Sequence, residues 1–301
     1  MRRRAPASVL LAGLGLAALV GGVVLVPALA SADPLAIGDV LTLRLLPPGA
    51  TDVTGHVHAL GTDRFGRDLF VRMMLAGRIS LLVGVAGSLL AGAAGTLVGL
   101  LAGWRGGAAD RVLMATADVL LALPRLVLLL VFAALWSPGA TTVVVVLVVT
   151  GWMGVARLVR AEVQGVRAQP YVDAAAALGA APARLVWRHV LPNAFGPAAV
   201  ATTLGVGNAI LLESGLSFLG LGVQPPTPSW GNMIAGGRDL IVVAPWVAIA
   251  PGLALVFTVV CCTLLADYLH DRLAGVAAPV SALPAELGPP RARVPLSARG
   301  S

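Results

Sequence analysis

The chain has 301 residues, of which 58% are hydrophobic and 12% charged, with mean hydropathy +0.91 and net charge +7. Soluble domains carry about 25% charged residues, so these figures exclude a soluble fold; with apolar runs beyond ~18 residues they indicate a polytopic membrane protein. All 21 basic residues are arginine, and no aromatic–basic array for stacking bases accompanies them, which sets nucleic acid aside.

The first apolar run, 9–30, follows Arg2, Arg3 and Arg4 and is trailed by ALASAD, which looks like a signal-peptidase site. Its length exceeds the ~7–15 residues of a signal-peptide core. An uncleaved first span is therefore expected, its arginines in the cytoplasm, within an N-terminal unit 1–60. Residues 31–78 are mixed and polar, with Pro34, Pro47 and Pro48. Within them, 61–78 is expected outside as an amphipathic segment, with 62–78 reading as a helix along the membrane surface. Asp63–Arg67, Arg64–Asp68 and Asp68–Arg72 fall at i,i+4, and Phe65, Leu69, Met73 and Ala76 share the other face. Arg64, Arg67, Arg72 and Arg78 outnumber Asp63 and Asp68, an excess that amphipathicity does not explain.

The unit 79–270 holds the remaining spans, expected at 79–103, 112–136, 141–156, 198–219 and 242–266. The fold class is all-α, a bundle of six transmembrane helices with both termini cytoplasmic. Loop charges agree. Arg105 and Arg111, then Arg157, Arg160, Arg167, Arg184 and Arg188, then Arg272 fall inside. The SPGA turn is uncharged, and Arg238 and Asp239 lie outside as a pair. Gly and Ala abound in spans two to six, which suits close helix packing in lipid. The tail 271–301, rich in Pro and Ala from Ala274 and carrying Arg291, Arg293 and Arg299, reads as disordered cytoplasmic chain.

Catalytic signatures are missing. GxxxxGK[ST] cannot occur without lysine, and neither HExxH nor GxSxG is present. Adjacent Cys261 and Cys262 read as small apolar residues. His56, His58, His189 and His270 are scattered; HVH at 56–58 could hold a metal weakly but reads as a solvated loop. No metal and no cofactor is expected. The acids in or near the spans are Asp118, Glu213 and Asp267. Glu213 is the deepest, either a pathway or gating group or a hydrogen-bonded packing residue.

The stretch YVDAAAALGAAPARLVWRHVLPNAFGP, 171–197, is a polar interruption between apolar runs. Alanine favours a first helix to residue 178, which Gly179 ends or bends. Pro182 opens a second short helix through Arg184, Leu185, Trp187, Arg188 and His189, and Pro192 stops it. This cytoplasmic helix–hinge–helix suits either docking to a partner or simple spacing of two spans.

DAAAALGAAPARLVWRHVLP resembles the EAA loop (here 160–197) of ABC importer permeases: an acidic residue, two alanines, a glycine and a downstream Leu-Pro. The matching residues are Asp173, Ala174, Ala175, Gly179, Leu191 and Pro192, with Arg184 between them. Asp173 departs from the usual glutamate, keeping the charge with a shorter reach. LGTDRFGRDLFVRMMLAGRISLLVG (60–84) contains Gly61, Thr62, Asp63, Gly66, Arg67 and Asp68. SGLSFLGLGVQPPTPSWGNMIAGGR (214–238) contains Pro225, Pro226, Trp230 and Gly231. Both resemble outer segments of the dipeptide/oligopeptide/nickel permease group, and most closely its second permease subunit.

The resemblance implies a type-1 ABC importer transmembrane domain in a prokaryotic plasma (inner) membrane. It implies a second homologous permease subunit, two cytoplasmic ATPases contacted through the EAA loop, and an extracellular or periplasmic substrate-binding protein. The chain itself would be no enzyme. Short peptides are the implied substrate, with nickel complexes as the alternative. A different class, a secondary ion-coupled carrier, would need no ATPase and would use Glu213 or Asp118 as a proton site.

Overall fold

The computed structural model describes residues 6–30 and 39–276, with side chains through Arg272. Arg2, Arg3, Arg4, residues 31–33 of ALASAD, Pro34 and residues 277–301 lie outside the described residues, and the tail expected to be disordered from 271 is helical through 276, where it continues the last helix.

α1 (Ala7–Leu29) is apolar along its length and carries Pro27 near its end. A single turn, α2 (Val40–Leu43), is capped by Asp39, whose carboxylate accepts the Leu41 N–H. A small hairpin pairs β1 (Ala50–Thr51) antiparallel to β2 (Val57–His58). The helix expected over 62–78 begins only at Leu69, as α3 (Leu69–Arg105). Residues 62–68 stay out of the helix because a side chain satisfies their backbone. Asp63 Oδ1 accepts from the N–H groups of Phe65 and Arg67, and Gly66 sits at φ +71°. Asp68 then caps α3 by accepting the Val71 N–H at 2.9 Å. Of the expected ion pairs, Asp63–Arg67 forms at 2.7 Å, across a loop rather than along a helix. Asp68 turns instead to His58.

The expected third span is two helices, α4 (Gly107–Ala122) and α5 (Arg125–Ala134), bent by 96°. Pro124 disfavours the helical region for the residue before it, and Leu123 sits at φ −87°, ψ 139°. α6 (Ala140–Arg167) runs well past the expected end at 156. α7 (Pro170–Ala177) and α8 (Pro182–Leu185) flank a turn at Gly179. Pro192 does not stop the helix as expected. A π-turn at 186–190 joins α8 to α9 (Leu191–Phe218) in one rod. There the Leu191 N–H returns to the Val186 carbonyl, and this wider turn accommodates Pro192, which has no N–H to give. α10 (Trp230–Gly237) opens on a reciprocal Ser229–Asn232 capping box, and α11 (Trp246–Val276) follows.

Among the described residues five helices are long and apolar enough to cross a membrane, six if α4–α5 counts as one broken span. The chain is an all-α polytopic membrane protein. α3 is central, packed on α6 and α9, while α1 lies against α3 and α11. Gly95, Gly99 and Gly103 recur every fourth position of α3. A Cβ on each would stand 2.5 Å from the Trp152 carbonyl, 2.5 Å from the Ala156 carbonyl and 2.8 Å from Val163, so the α3 and α6 backbones touch. Such close approach supplies the dispersion contacts that hold helices together in lipid. Val23, Leu69, Met73, Ile210, Trp230 and Leu255 form a core joining α1, α3, α9, α10 and α11.

Candidate functional site

The stretches 60–84 and 214–238 meet at the hairpin end of the bundle. Gly61, at φ +77°, passes so close to Leu46 that a Cβ would stand 2.3 Å from its carbonyl oxygen. The neighbouring Thr62 hydroxyl donates to the Leu43 carbonyl and accepts the Leu46 N–H at 2.8 Å. Trp230 is fully buried; its indole N–H donates to the Met73 carbonyl at 3.1 Å and its backbone N–H to Ser80 Oγ at 3.2 Å. Gly231 packs directly on the Ser214 backbone of α9. These contacts wall a cavity of about 420 Å³ lined by Asp63, Arg64, Arg67, Arg72, Pro225, Pro226 and Asn232, among others.

Asp63 pairs with Arg67 and stands 3.8 Å from Arg72. Arg72 is 7% exposed, and its Nη1 has no hydrogen-bond partner among the described residues. Arg64 and Arg67 lie over the Phe65 ring, 4.9 and 4.5 Å from its centroid. Three guanidinium groups against one carboxylate leave the cavity cationic, suited to an acidic group. The fourth arginine of this run, Arg78, faces away and bonds the Val23 and Val24 carbonyls of α1. The arginine excess thus has distinct structural uses. The expected solvated HVH loop is half corrected: His56 is exposed, but His58 is 5% exposed, with Nδ1 2.7 Å from Asp68 Oδ2.

At the opposite end, α7, Gly179 and α8 form a bent helical pair. Val172 and Leu185 are buried and anchor it, and the Tyr171 and His189 rings meet at 5.8 Å. Its outer side is open. Asp173, Ala174, Gly179, Arg184 and Pro192 are exposed, Ala175 and Leu191 half-buried. Leu178 is 89% and Trp187 71% exposed, large apolar side chains that none of the described residues covers. Gly179 has φ +83° and open space around it, so conformation rather than crowding calls for glycine. Nearby, Arg160 and Arg157 of α6 pair with Asp110 and Asp118 of α4, and Arg167 donates to the Trp104 carbonyl at 2.7 Å.

Glu213 is fully buried in α9. Its carboxylate accepts the Ser217 hydroxyl at 2.7 Å, and Ser217 Oγ in turn accepts the Val223 N–H at 3.0 Å. It borders neither this cavity nor a second one of about 230 Å³ between α3, α6 and α9. Arg125 of α5 lines that second cavity with Ser88 and Thr202, and its Nε has no hydrogen-bond partner among the described residues. Attention to acids alone passes over Arg125, although a basic residue within the expected third span is a signal of the same kind.

Residues 95–275 match the family described as binding-protein-dependent transport system inner membrane component. The chain is 38% identical to the oligopeptide transport system permease protein OppC of Bacillus subtilis, over 72% of this chain and 71% of that one. It is 41% identical to a probable peptide ABC transporter permease protein, y4tQ, of Sinorhizobium fredii, over 81% and 82%. In three dimensions it resembles the MetNI methionine ABC transporter in an inward-facing conformation. The TM-score is 0.53 at 19% identity, covering 68% of this chain and 96% of that one. That likeness shows the fold.

Proposed function

Because this chain belongs to the inner-membrane components of binding-protein-dependent transport systems, the permeases of ATP-driven importers, we propose that it carries short peptides. The peptide substrate rests on what its relatives are named for. In this reading the chain forms half of the pathway, and a second homologous permease subunit forms the other half.

Two ATPases bind in the cytoplasm, one on each permease. Asp173, Ala174, Ala175, Gly179, Arg184, Leu191 and Pro192 make this chain's contact. The α7–α8 end and both termini then face the cytoplasm, and the hairpin end faces outward. There a substrate-binding protein delivers cargo, and the cationic cavity around Arg72 suits the carboxylate of an arriving peptide. The chain itself hydrolyses no ATP, since without lysine it builds no P-loop. Glu213 holds the turn after α9 through Ser217.

The observation that carries this reading is the anchored α7–Gly179–α8 element with Leu178 and Trp187 bare on its outer side. A proton-coupled carrier has less support: Asp118 is paired with Arg157, and Glu213 is enclosed with its serine partners. The test is co-purification with the ATPase subunits of the same transport system. Wild type is expected to retain them, whereas Trp187→Ala and Gly179→Pro reach the membrane at equal level without them. Full retention by both variants would refute the contact.

A further inference from the structure

His58, His56, Asp68 and Asp52 converge where the β1–β2 hairpin meets the first turn of α3. One ligand atom each from His56, His58 and Asp68 lies within 4.8 Å of the others. Asp68 Oδ2 is 2.7 Å from His58 Nδ1 and 3.8 Å from His56 Nε2. A tetrahedral zinc ion with bonds near 2.1 Å sets its ligand atoms about 3.4 Å apart, between those two distances. The other carboxylate oxygen, Oδ1, is committed to the Val71 N–H, so Oδ2 is the oxygen that faces both histidines.

The second observation is an orphan. His58 is 5% exposed, and its Nε2 is buried with no hydrogen-bond partner among the described residues. The group facing it is Asp52 Oδ2, at 3.5 Å. Asp52 is held in place through Oδ1, which takes the N–H groups of Thr54 and His56. A neutral His58 that donates Nδ1–H to Asp68 turns a bare Nε2 lone pair toward that carboxylate, acceptor against acceptor. A cation on Nδ1 reverses this. The imidazole proton moves to Nε2, where it points at Asp52, and the pair becomes the carboxylate–histidine–metal relay that supports histidine ligands.

We propose that the hairpin holds a divalent transition metal, zinc above all, on His56 Nε2, His58 Nδ1 and Asp68 Oδ2, with Asp52 orienting His58. Three ligands leave the fourth position to water. The ion would tie the hairpin to the start of α3 and so brace the loop beside the cationic cavity. None of this depends on the transported substrate.

The test uses the full chain in nanodiscs, purified without a polyhistidine tag and stripped with a chelator. Zinc is titrated against a chromophoric chelator, and cobalt is added separately for its visible absorption. The expected result is one equivalent of zinc per chain, a cobalt spectrum of a tetrahedral nitrogen–oxygen site, and loss of both in the His56→Ala/His58→Ala double variant. His56 is exposed, so His56→Ala alone keeps the fold and is expected to weaken binding by at least about tenfold. Absence of stoichiometric zinc, or unchanged affinity in His56→Ala, would overturn the site and leave His58 as a hydrogen-bonded residue of the hairpin.

Discussion

Arg78 of α3 donates its Nε–H to the carbonyl oxygen of Val23 in α1, 2.8 Å away. That oxygen is free because the residue four places on is Pro27, which has no N–H to return to it. A second guanidinium bond, 2.7 Å to the Val24 carbonyl, completes the contact. In lipid an unpaired carbonyl costs several kcal/mol. The arginine therefore closes the gap that proline opens and pins α1 to α3 in one step. Arg78→Ala is expected to destabilise the chain by about 2 kcal/mol, the scale of a charged hydrogen bond. In a Pro27→Ala background the new N–H can return to Val23, and the same change should cost much less. Thermal unfolding of the four proteins in a double-mutant cycle checks this. Equal costs in both backgrounds would rule out the link between the two residues.

The α3–α6 contact gives a steric prediction. Gly99→Leu puts a side chain where even a Cβ meets the Ala156 carbonyl at 2.5 Å. It should cost about 1–3 kcal/mol or more and lower the unfolding temperature. Gly215→Ala in α9, where a Cβ meets nothing within 4 Å, serves as the control and should be neutral or mildly stabilising. A similar loss in both would show that glycine itself, not the helix contact, matters.

The hairpin should respond to acid in a defined window. Hydrogen bonding from the Thr54 side chain, with help from backbone N–H groups, lowers the Asp52 carboxyl from 3.8 to about 2. A depressed acid contributes stability that is full above its unfolded value and is lost as pH falls through its folded value. The segment 50–58 should therefore resist pepsin at pH 4 and become cleavable toward pH 2. Thr54→Val should move that loss to higher pH. An unchanged profile in the variant would contradict the role of Thr54.

The cavity at the hairpin end makes a kinetic prediction. If the free edge of Arg72 receives a peptide carboxylate, Arg72→Met should raise the apparent KM for peptide uptake by roughly tenfold or more. ATPase association, at the other end of the bundle, should be untouched. A loss of ATPase binding with unchanged KM would place the effect elsewhere.

Much of this architecture is legible in the sequence, for physical reasons that differ by element. Spans announce themselves because bilayer thickness demands long apolar runs, and α1, α3, α6, α9 and α11 lie where composition puts them. The break at Leu123–Pro124 was equally open to reading, since proline restricts the residue before it. The end of α8 misled, because a π-turn is a local rearrangement that no periodicity reveals. The loop at 62–68 misled for a different reason: i,i+4 charges fit a helix, but Asp63 spends its carboxylate on nearby N–H groups instead. Arg78 was unreadable because its partner is a backbone oxygen on another helix. The EAA-type stretch was readable as helix–hinge–helix from Gly179 and Pro182, and resemblance alone suggested what it touches.

The most direct test is reconstitution. The chain, its partner permease, the ATPases and the substrate-binding protein are placed in proteoliposomes, and uptake of a labelled short peptide is followed with and without ATP. Wild type should accumulate peptide only with ATP. Gly179→Pro, which cannot adopt the φ of +83° at the α7–α8 turn, should insert normally and accumulate almost none. Uptake that follows a proton gradient and ignores ATP, or full ATP-driven uptake by Gly179→Pro, would contradict coupling through this element.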